Sequence, residues 1–506
     1  MRQTEIAIPT VAGPDKPGKR FVPRWLNFSP LDGILLATAL IAAYLPLDWT
    51  RDLKRIKQAP LYSWLGLGYF LVYALAVLWA FRPASQEIRY RHKWLALIGL
   101  VLIPNLFNIW LRTSAKLANG SLLFGQDADM GLFFKYGQDL VQGLNPTNTA
   151  GQYAEYPQFA LLLFGLSYWL SGNQLASFNF VLPALISLFQ LVAALAVYGC
   201  GRKLGRARAG FLVAAFVVGC PALFGFNATR FDAAPAALLV LAVYFYLPSP
   251  GKTPDAKEPG GAGLAVAAGG LIKWLPFVIA PWLVMGYLQA RRWRQLLIFG
   301  LASLSLSLIT LMPFYLWNSE AFWYPYKFQG SRKLIGESFW FLVQRDFLDP
   351  AHTTPEKPWG EPALILLGNN KLLALQLGLT FLIFALTFLR FTKKSRQPSP
   401  TALLTGGLVG VAVFTLANRV FSPQYLVLLA WAWAMALVLG SPGRFKLLAG
   451  LALISIAAAA NFQVYLLGVY PEEWVRDSWI MFGSAWLLCG GLLGFSIFGS
   501  YTVDKS

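Results

Sequence analysis

Apolar runs long enough to cross a bilayer recur from residue 29 to residue 499, separated by short polar or basic breaks. A backbone in hydrocarbon must satisfy its own N–H and C=O groups, so it crosses as helices or as a closed barrel. The alternating pattern of a membrane barrel is absent. The expected fold class is therefore all-α, a polytopic transmembrane helical protein with about 12–14 spans. Hydrophobic residues make up 57% of the chain and charged ones 13%, where an ordinary soluble domain has about 25% charged. The formal net charge of +19 would suggest nucleic acid in a soluble protein. Here the charges lie between the apolar runs and read as orientation signals, so no nucleic-acid partner is expected.

The basic clusters Arg202-Lys203-Arg206-Arg208, Arg291-Arg292-Arg294 and Lys393-Lys394-Arg396 mark the cytoplasmic side under the positive-inside rule. The resulting topology has a cytoplasmic tail at 1–28, one membrane domain over 29–499 and a cytoplasmic tail at 500–506. No cleavable signal pattern is evident, so the first run is expected to stay as an anchor. Arg51, Lys54, Arg55 and Lys57 strain this topology, because they fall in an outer loop. Two long outer loops remain, 112–173 and 317–361, expected to carry short juxtamembrane helices. One is the apolar stretch Phe159 to Leu170, too short to span comfortably and read as a helix at the outer surface. The region 262–290, interrupted by Lys273 and Pro276, reads as two half-helices.

Chemistry concentrates at a few charges. Asp127 and Asp129, in the first outer loop, could remove a proton from an acceptor hydroxyl; the plainer reading is a solvated or helix-capping pair. Arg230 and Asp232 flank the start of one span, Lys273 lies inside the broken segment, and Arg419 precedes another span. Charges at such depths pair or face a polar cavity. Three cations from separate helices could bind a lipid phosphate or diphosphate, although Arg and Lys near helix ends also snorkel to head groups. The aromatic cluster Phe322-Trp323-Tyr324-Pro325-Tyr326 is the best candidate for covering a site. Cys200, Cys220 and Cys489, with His92 and His352, form no metal-ligand or redox spacing. There is no phosphate-cradling glycine loop and no serine-hydrolase elbow. Neither a metal nor a cofactor is expected.

Asp129 with Tyr136, Gly143 and Pro146, then Tyr156-Pro157, then Arg230-Phe231-Asp232 with Pro235, then Lys273 through Pro276 with Pro281, form an ordered series. Together with Phe421-Ser422-Pro423-Gln424-Tyr425, this series resembles the C-class (GT-C) glycosyltransferases. Within them it is most similar to the bacterial polyprenyl-phosphate-mannose-dependent alpha-mannosyltransferase family. The resemblance implies a GT-C-like membrane fold. It implies transfer of a sugar, commonly mannose in that family, from a polyprenyl-phosphate donor to a glycolipid or glycan acceptor. It implies Asp129 as catalytic base, with Asp127 as the fallback. Lys273, Arg230 and Arg419 would receive the donor phosphate, and Tyr136, Tyr156, Asp232, Gln424 and Tyr425 would contact substrate. No obligatory metal is implied. The setting would be the plasma membrane of a bacterium, with both termini cytoplasmic and the active site outside. One departure is Tyr156-Pro157-Gln158, where many relatives have paired prolines. A different class, a lipid-linked saccharide transporter or flippase, would share the many helices, the broken helix and the buried cations. A ligase acting on a lipid diphosphate would be expected to use more outer-loop arginines than Arg332 and Arg345.

Overall fold

A computed structural model describes residues 30–44, 90–114, 128–220, 230–249, 257–331, 338–340, 369–392, 400–418, 420–422, 424–440 and 444–466, with isolated positions at 71–77, 223 and 483–491. Among these residues the regular structure is helical, and Thr147 and Tyr153 form an isolated strand-like bridge. In chain order the helices are α1 (Pro30–Tyr44), α2 (Tyr90–Ser114), α3 (Ala128–Val141), α4 (Gln158–Leu170), α5 (Leu175–Lys203), α6 (Ala207–Gly219), α7 (Ala233–Tyr246) and α8 (Lys257–Ile272). After a 3-10 turn at Leu275–Ile279 come α9 (Ala280–Gln289), α10 (Trp293–Trp317), α11 (Ser319–Ser331), α12 (Asn369–Thr392), α13 (Pro400–Leu416), α14 (Tyr425–Gly440) and α15 (Arg444–Leu466).

α5 and α10 are each long and apolar enough to cross a membrane. At 25 residues, α10 is about 38 Å long at 1.5 Å per residue, more than the ~30 Å hydrocarbon layer. It leaves Leu301, Leu304, Leu308, Ile309 and Leu316 exposed. A continuous apolar face of that length is stable against lipid tails and unstable against water. The molecule is a polytopic helical membrane protein. α14 is the opposite extreme, buried from Tyr425 to Leu439 around its whole circumference. An apolar helix without a polar stripe belongs in a core, and α14 packs against α13, α7, α15, α5 and α6.

The basic cluster at 202–208 ties helix ends together. Lys203 Nζ donates to the carbonyls of Tyr244 at 2.9 Å and Leu247 at 2.6 Å, and pairs with Glu258 at 3.1 Å. Arg206 Nη1 donates to the carbonyls of Val438 at 3.2 Å and Leu439 at 2.9 Å. These carbonyls end α7 and α14, where no further turn supplies a donor and a cation meets the negative end of the helix.

The interruption expected at Lys273 and Pro276 is present. α8 stops at Ile272, and Lys273 N still donates to Gly269 O at 3.0 Å. Pro276 lacks an N–H, and the chain continues through the tight 3-10 turn before α9 begins. The break positions Lys273 outside regular helix, with its side chain only 16% exposed.

Candidate active site

α3 and α4 form a short helical hairpin next to the start of α7. Gly137 makes the hairpin close: a methyl at this position would collide with the carbonyl of Phe164. α3 ends in a Schellman turn. Leu144 N donates to Asp139 O at 2.8 Å, Gly143 N donates to Leu140 O at 3.2 Å, and Gly143 has φ +72°. A side chain there would be strained by about 1–2 kcal/mol, which accounts for glycine at this point of the series.

The loop after α3 is tied back to the helix at Thr147 by Asp139, which sequence reasoning passed over. This buried carboxylate accepts from Lys135 Nζ at 2.6 and 2.8 Å, from Thr147 N at 3.0 Å and from Thr147 Oγ1 at 3.3 Å. The Lys135–Asp139 spacing of four on a helix was a readable sign of the first contact; the second is visible only in the fold. Asp139→Ala is expected to leave Lys135 and the Thr147 amide without this acceptor, at a cost of about 1–3 kcal/mol. Hydrogen exchange at Thr147 should then accelerate about tenfold or more; unchanged exchange would show that the loop is held by other means.

The charges named from sequence meet in two ion pairs. Arg230 Nη1 lies 3.0 Å from Asp129 Oδ2, and Lys273 Nζ lies 2.5 Å from Asp232 Oδ1. Asp129 is in the first turn of α3, where a helix N-terminus favours an acid, but its partner lies in a different part of the chain. Asp232 occupies the cap position of α7 without making a side-chain cap bond; its carboxylate is turned to Lys273 instead. The two pairs differ in depth. The Asp232 side chain is 3% exposed and that of Asp129 39%.

Phe231, between the two paired residues, is enclosed by Phe133, Tyr156 and Phe164 at ring separations of 5.3–5.4 Å. Lys273 Nζ lies 4.3 Å from the Tyr425 ring centre and 5.4 Å from that of Phe231, within cation–π range. Tyr136 is buried and meets Tyr156 edge-on at 6.3 Å. Burial, and next the Glu155 carboxylate, push its phenol up, with Tyr324 and Asp129 acting the same way. It remains a neutral phenol across the physiological range. Thus Asp129, Arg230, Asp232, Lys273, Tyr136, Tyr156 and Tyr425 converge on one region. Gln424 is half-buried, its carbonyl accepts from Val427 N at 3.1 Å, and nothing among the described residues joins its side chain to the ion pairs. Asp127 and Arg419 lie outside the described residues, as does Pro423.

The aromatic segment from the second long loop forms α11 and lies over this region. Buried Gln158 donates from Nε2 to the carbonyl of Phe322 at 3.2 Å and accepts from Tyr326 Oη at 3.0 Å. Gln329 Nε2 donates to Glu155 O at 3.4 Å. Tyr324 meets Tyr153 edge-on at 6.0 Å, and Tyr326 meets Trp274 at 5.0 Å. Gln158, the departure from paired prolines, is therefore the joint that holds the cover helix.

Chemically, the arrangement offers a half-exposed carboxylate, a guanidinium with several N–H donors, and an ammonium held deeper beside a helix break. Among the described residues, no group of three or more His, Cys, Asp or Glu is positioned to hold a metal ion.

Fold and site together define the class as an all-helical membrane protein with a paired-charge cluster beside a broken helix. No protein-family model and no curated protein sequence matches the chain. Among solved structures it is similar to ArnT from Cupriavidus metallidurans bound to undecaprenyl phosphate, at 14% identity and TM-score 0.45, covering 80% of this chain and 77% of that one. It is also similar to the Archaeoglobus fulgidus oligosaccharyltransferase in its apo form, at 13% identity and TM-score 0.38, covering 78% of this chain and 56% of that one. The same oligosaccharyltransferase in complex with Zn and sulfate gives 15% identity, TM-score 0.34, and coverage of 76% and 53%. The chain thus spans about half the length of the oligosaccharyltransferase.

Proposed function

We propose that the chain is a membrane glycosyltransferase that moves a sugar from a polyprenyl-phosphate donor to a glycolipid or glycan acceptor on the non-cytoplasmic face. The observation that carries this reading is the convergence of Asp129, Arg230, Asp232 and Lys273 in two ion pairs beside the broken helix. A sugar-phosphate displacement needs one base for the acceptor and cationic donors for the leaving phosphate. Asp129, on the more open side, is the base. Arg230 and Lys273 receive the donor phosphate, a role the family resemblance also gives to Arg419. Tyr136, Tyr156, Asp232 and Tyr425 contact the sugar, a role the family resemblance also gives to Gln424. Mannose is the sugar we assign first, on the family resemblance.

The step is a single displacement. The acceptor oxygen bonds to the anomeric carbon, the bond from that carbon to the phosphate oxygen breaks, and the acceptor proton passes to Asp129. Polyprenyl phosphate departs with the electron pair and needs no protonation by the protein.

The test is transfer of radiolabel from a panel of polyprenyl-phosphate sugars to total glycolipid, by purified protein in lipid. Label in a new glycolipid or glycan supports the reading. A second reading, a lipid-linked saccharide transporter, draws on the helix break with its buried Lys273–Asp232 pair. It predicts movement of lipid-linked saccharide between leaflets of proteoliposomes, with no labelled product.

A further inference from the structure

The transfer reading gives the members of the Asp129–Arg230 pair different substrate partners, the acceptor hydroxyl for the carboxylate and the donor phosphate for the guanidinium. In the structure they hold each other at 3.0 Å. We propose that Asp129 and the donor phosphate are rival anions for Arg230, so that an arriving phosphate draws the guanidinium away and turns the carboxylate over to the acceptor. This inference rests on the transfer reading.

The two ion pairs are unequally suited to such an exchange. Asp232 is 3% exposed, and removing its cation would strand a buried carboxylate at a cost that few ligands offset. Lys273 is also held against the Tyr425 and Phe231 rings, so this pair stays closed. Asp129 is 39% exposed. Arg230 is 13% exposed, so water reaches this pair from the carboxylate side, and opening it costs less than opening the closed pair. Its carboxylate can be rehydrated when the guanidinium leaves. Arg230 precedes Phe231, whose ring is fixed by Phe133, Tyr156 and Phe164. The backbone of Arg230 is therefore anchored while its head group exchanges partners. A guanidinium suits the task because its planar fork binds a carboxylate or a phosphate equally well.

Charge balance points the same way. Each of the two ion pairs is neutral, so within them an arriving phosphate meets no uncompensated positive charge. Neutralising Asp129 leaves one uncompensated positive charge beside the incoming anion. The carboxylate required for transfer therefore weakens donor binding, and the coupling runs through Arg230.

The experiment measures binding of undecaprenyl phosphate to the full chain in nanodiscs, by native mass spectrometry, for wild type, Asp129→Asn, Asp129→Glu, Arg230→Gln and the Asp129→Asn/Arg230→Gln double variant. Asp129→Asn should bind about fivefold or more tightly than wild type. Asp129→Glu, which keeps the charge, should bind as wild type does. In the Arg230→Gln background the Asn substitution should change affinity less than twofold, roughly the noise of a coupling cycle. Unchanged or weaker binding by Asp129→Asn overturns the exchange, as does equal tightening with and without Arg230. An Asn variant that has lost transfer but binds as wild type defeats the exchange and leaves the transfer reading standing. An Asn variant that retains transfer removes Asp129 as the base and the exchange with it, whereas wild type that transfers no label defeats the transfer reading itself.

Discussion

Asp129→Asn is expected to lower sugar transfer by about 10²–10⁴-fold, the usual contribution of a positioned general base, while leaving the helical fold intact. The substitution keeps the shape and a hydrogen-bonding oxygen, and removes the negative charge and with it the ability to accept the acceptor proton. Asp129 stands in the first turn of α3, half-exposed, with Arg230 as its partner. The pair is only partly accessible, Asp129 being 39% and Arg230 13% exposed, so its loss should cost more than the ~1 kcal/mol of a solvated pair and less than the ~3–5 kcal/mol of a buried one. Wild-type rates in this variant would remove Asp129 from the chemistry and shift attention to Asp127. A large fall in the melting temperature would assign Asp129 to structure instead.

The second large effect is thermodynamic. Lys273→Met strands the Asp232 carboxylate, which is 3% exposed, and should cost about 3–5 kcal/mol. The double substitution Lys273→Met with Asp232→Asn removes both charges and should recover most of that stability. Replacing a buried ion pair by neutral groups of similar volume is often close to neutral. Thermal unfolding in lipid reads the recovery. Transfer should not recover, because no ammonium remains beside the helix break for the donor phosphate. If the double variant is as unstable as the single one, the pair's value lies in packing against Tyr425 and Phe231 and not in compensation of charge. Recovery of both stability and transfer would take Lys273 out of donor binding.

Much of this was legible in the chain before folding. Apolar runs announce a helical membrane protein because lipid leaves a backbone few choices. The interruption of α8 could be read from Lys273 and Pro276, since one carries an expensive charge and the other lacks a donor. The charged positions themselves were also legible, because a charge at a span end invites explanation. What could not be read was who pairs with whom. Arg230 and Asp232 are two residues apart and looked like natural partners, yet each pairs with a residue more than forty positions away. Pairing depends on where three helix ends meet, and local sequence does not encode that distance. Asp139 was invisible for a related reason. An acid four residues after a lysine looks like an ordinary helix-surface pair, and its burial under Thr147 comes from the turn at Gly143. Gln158 was legible only as a deviation. Its amide bonds to Phe322 and Tyr326 join segments about 165 residues apart, beyond any local pattern.

The bonds made by Lys203 and Arg206 bear on how membrane orientation is tested in this protein. Orientation is commonly probed by neutralising a basic cluster and asking whether a reporter moves to the other side. Here Lys203 holds the carbonyls that end α7, and Arg206 those that end α14. Neutralising them removes two latches from the buried centre of the bundle, and a misplaced reporter would then record misassembly as readily as inversion. The helix-end arginines at 291–294, with no such tie to α14 among the described residues, are the better handle for that experiment.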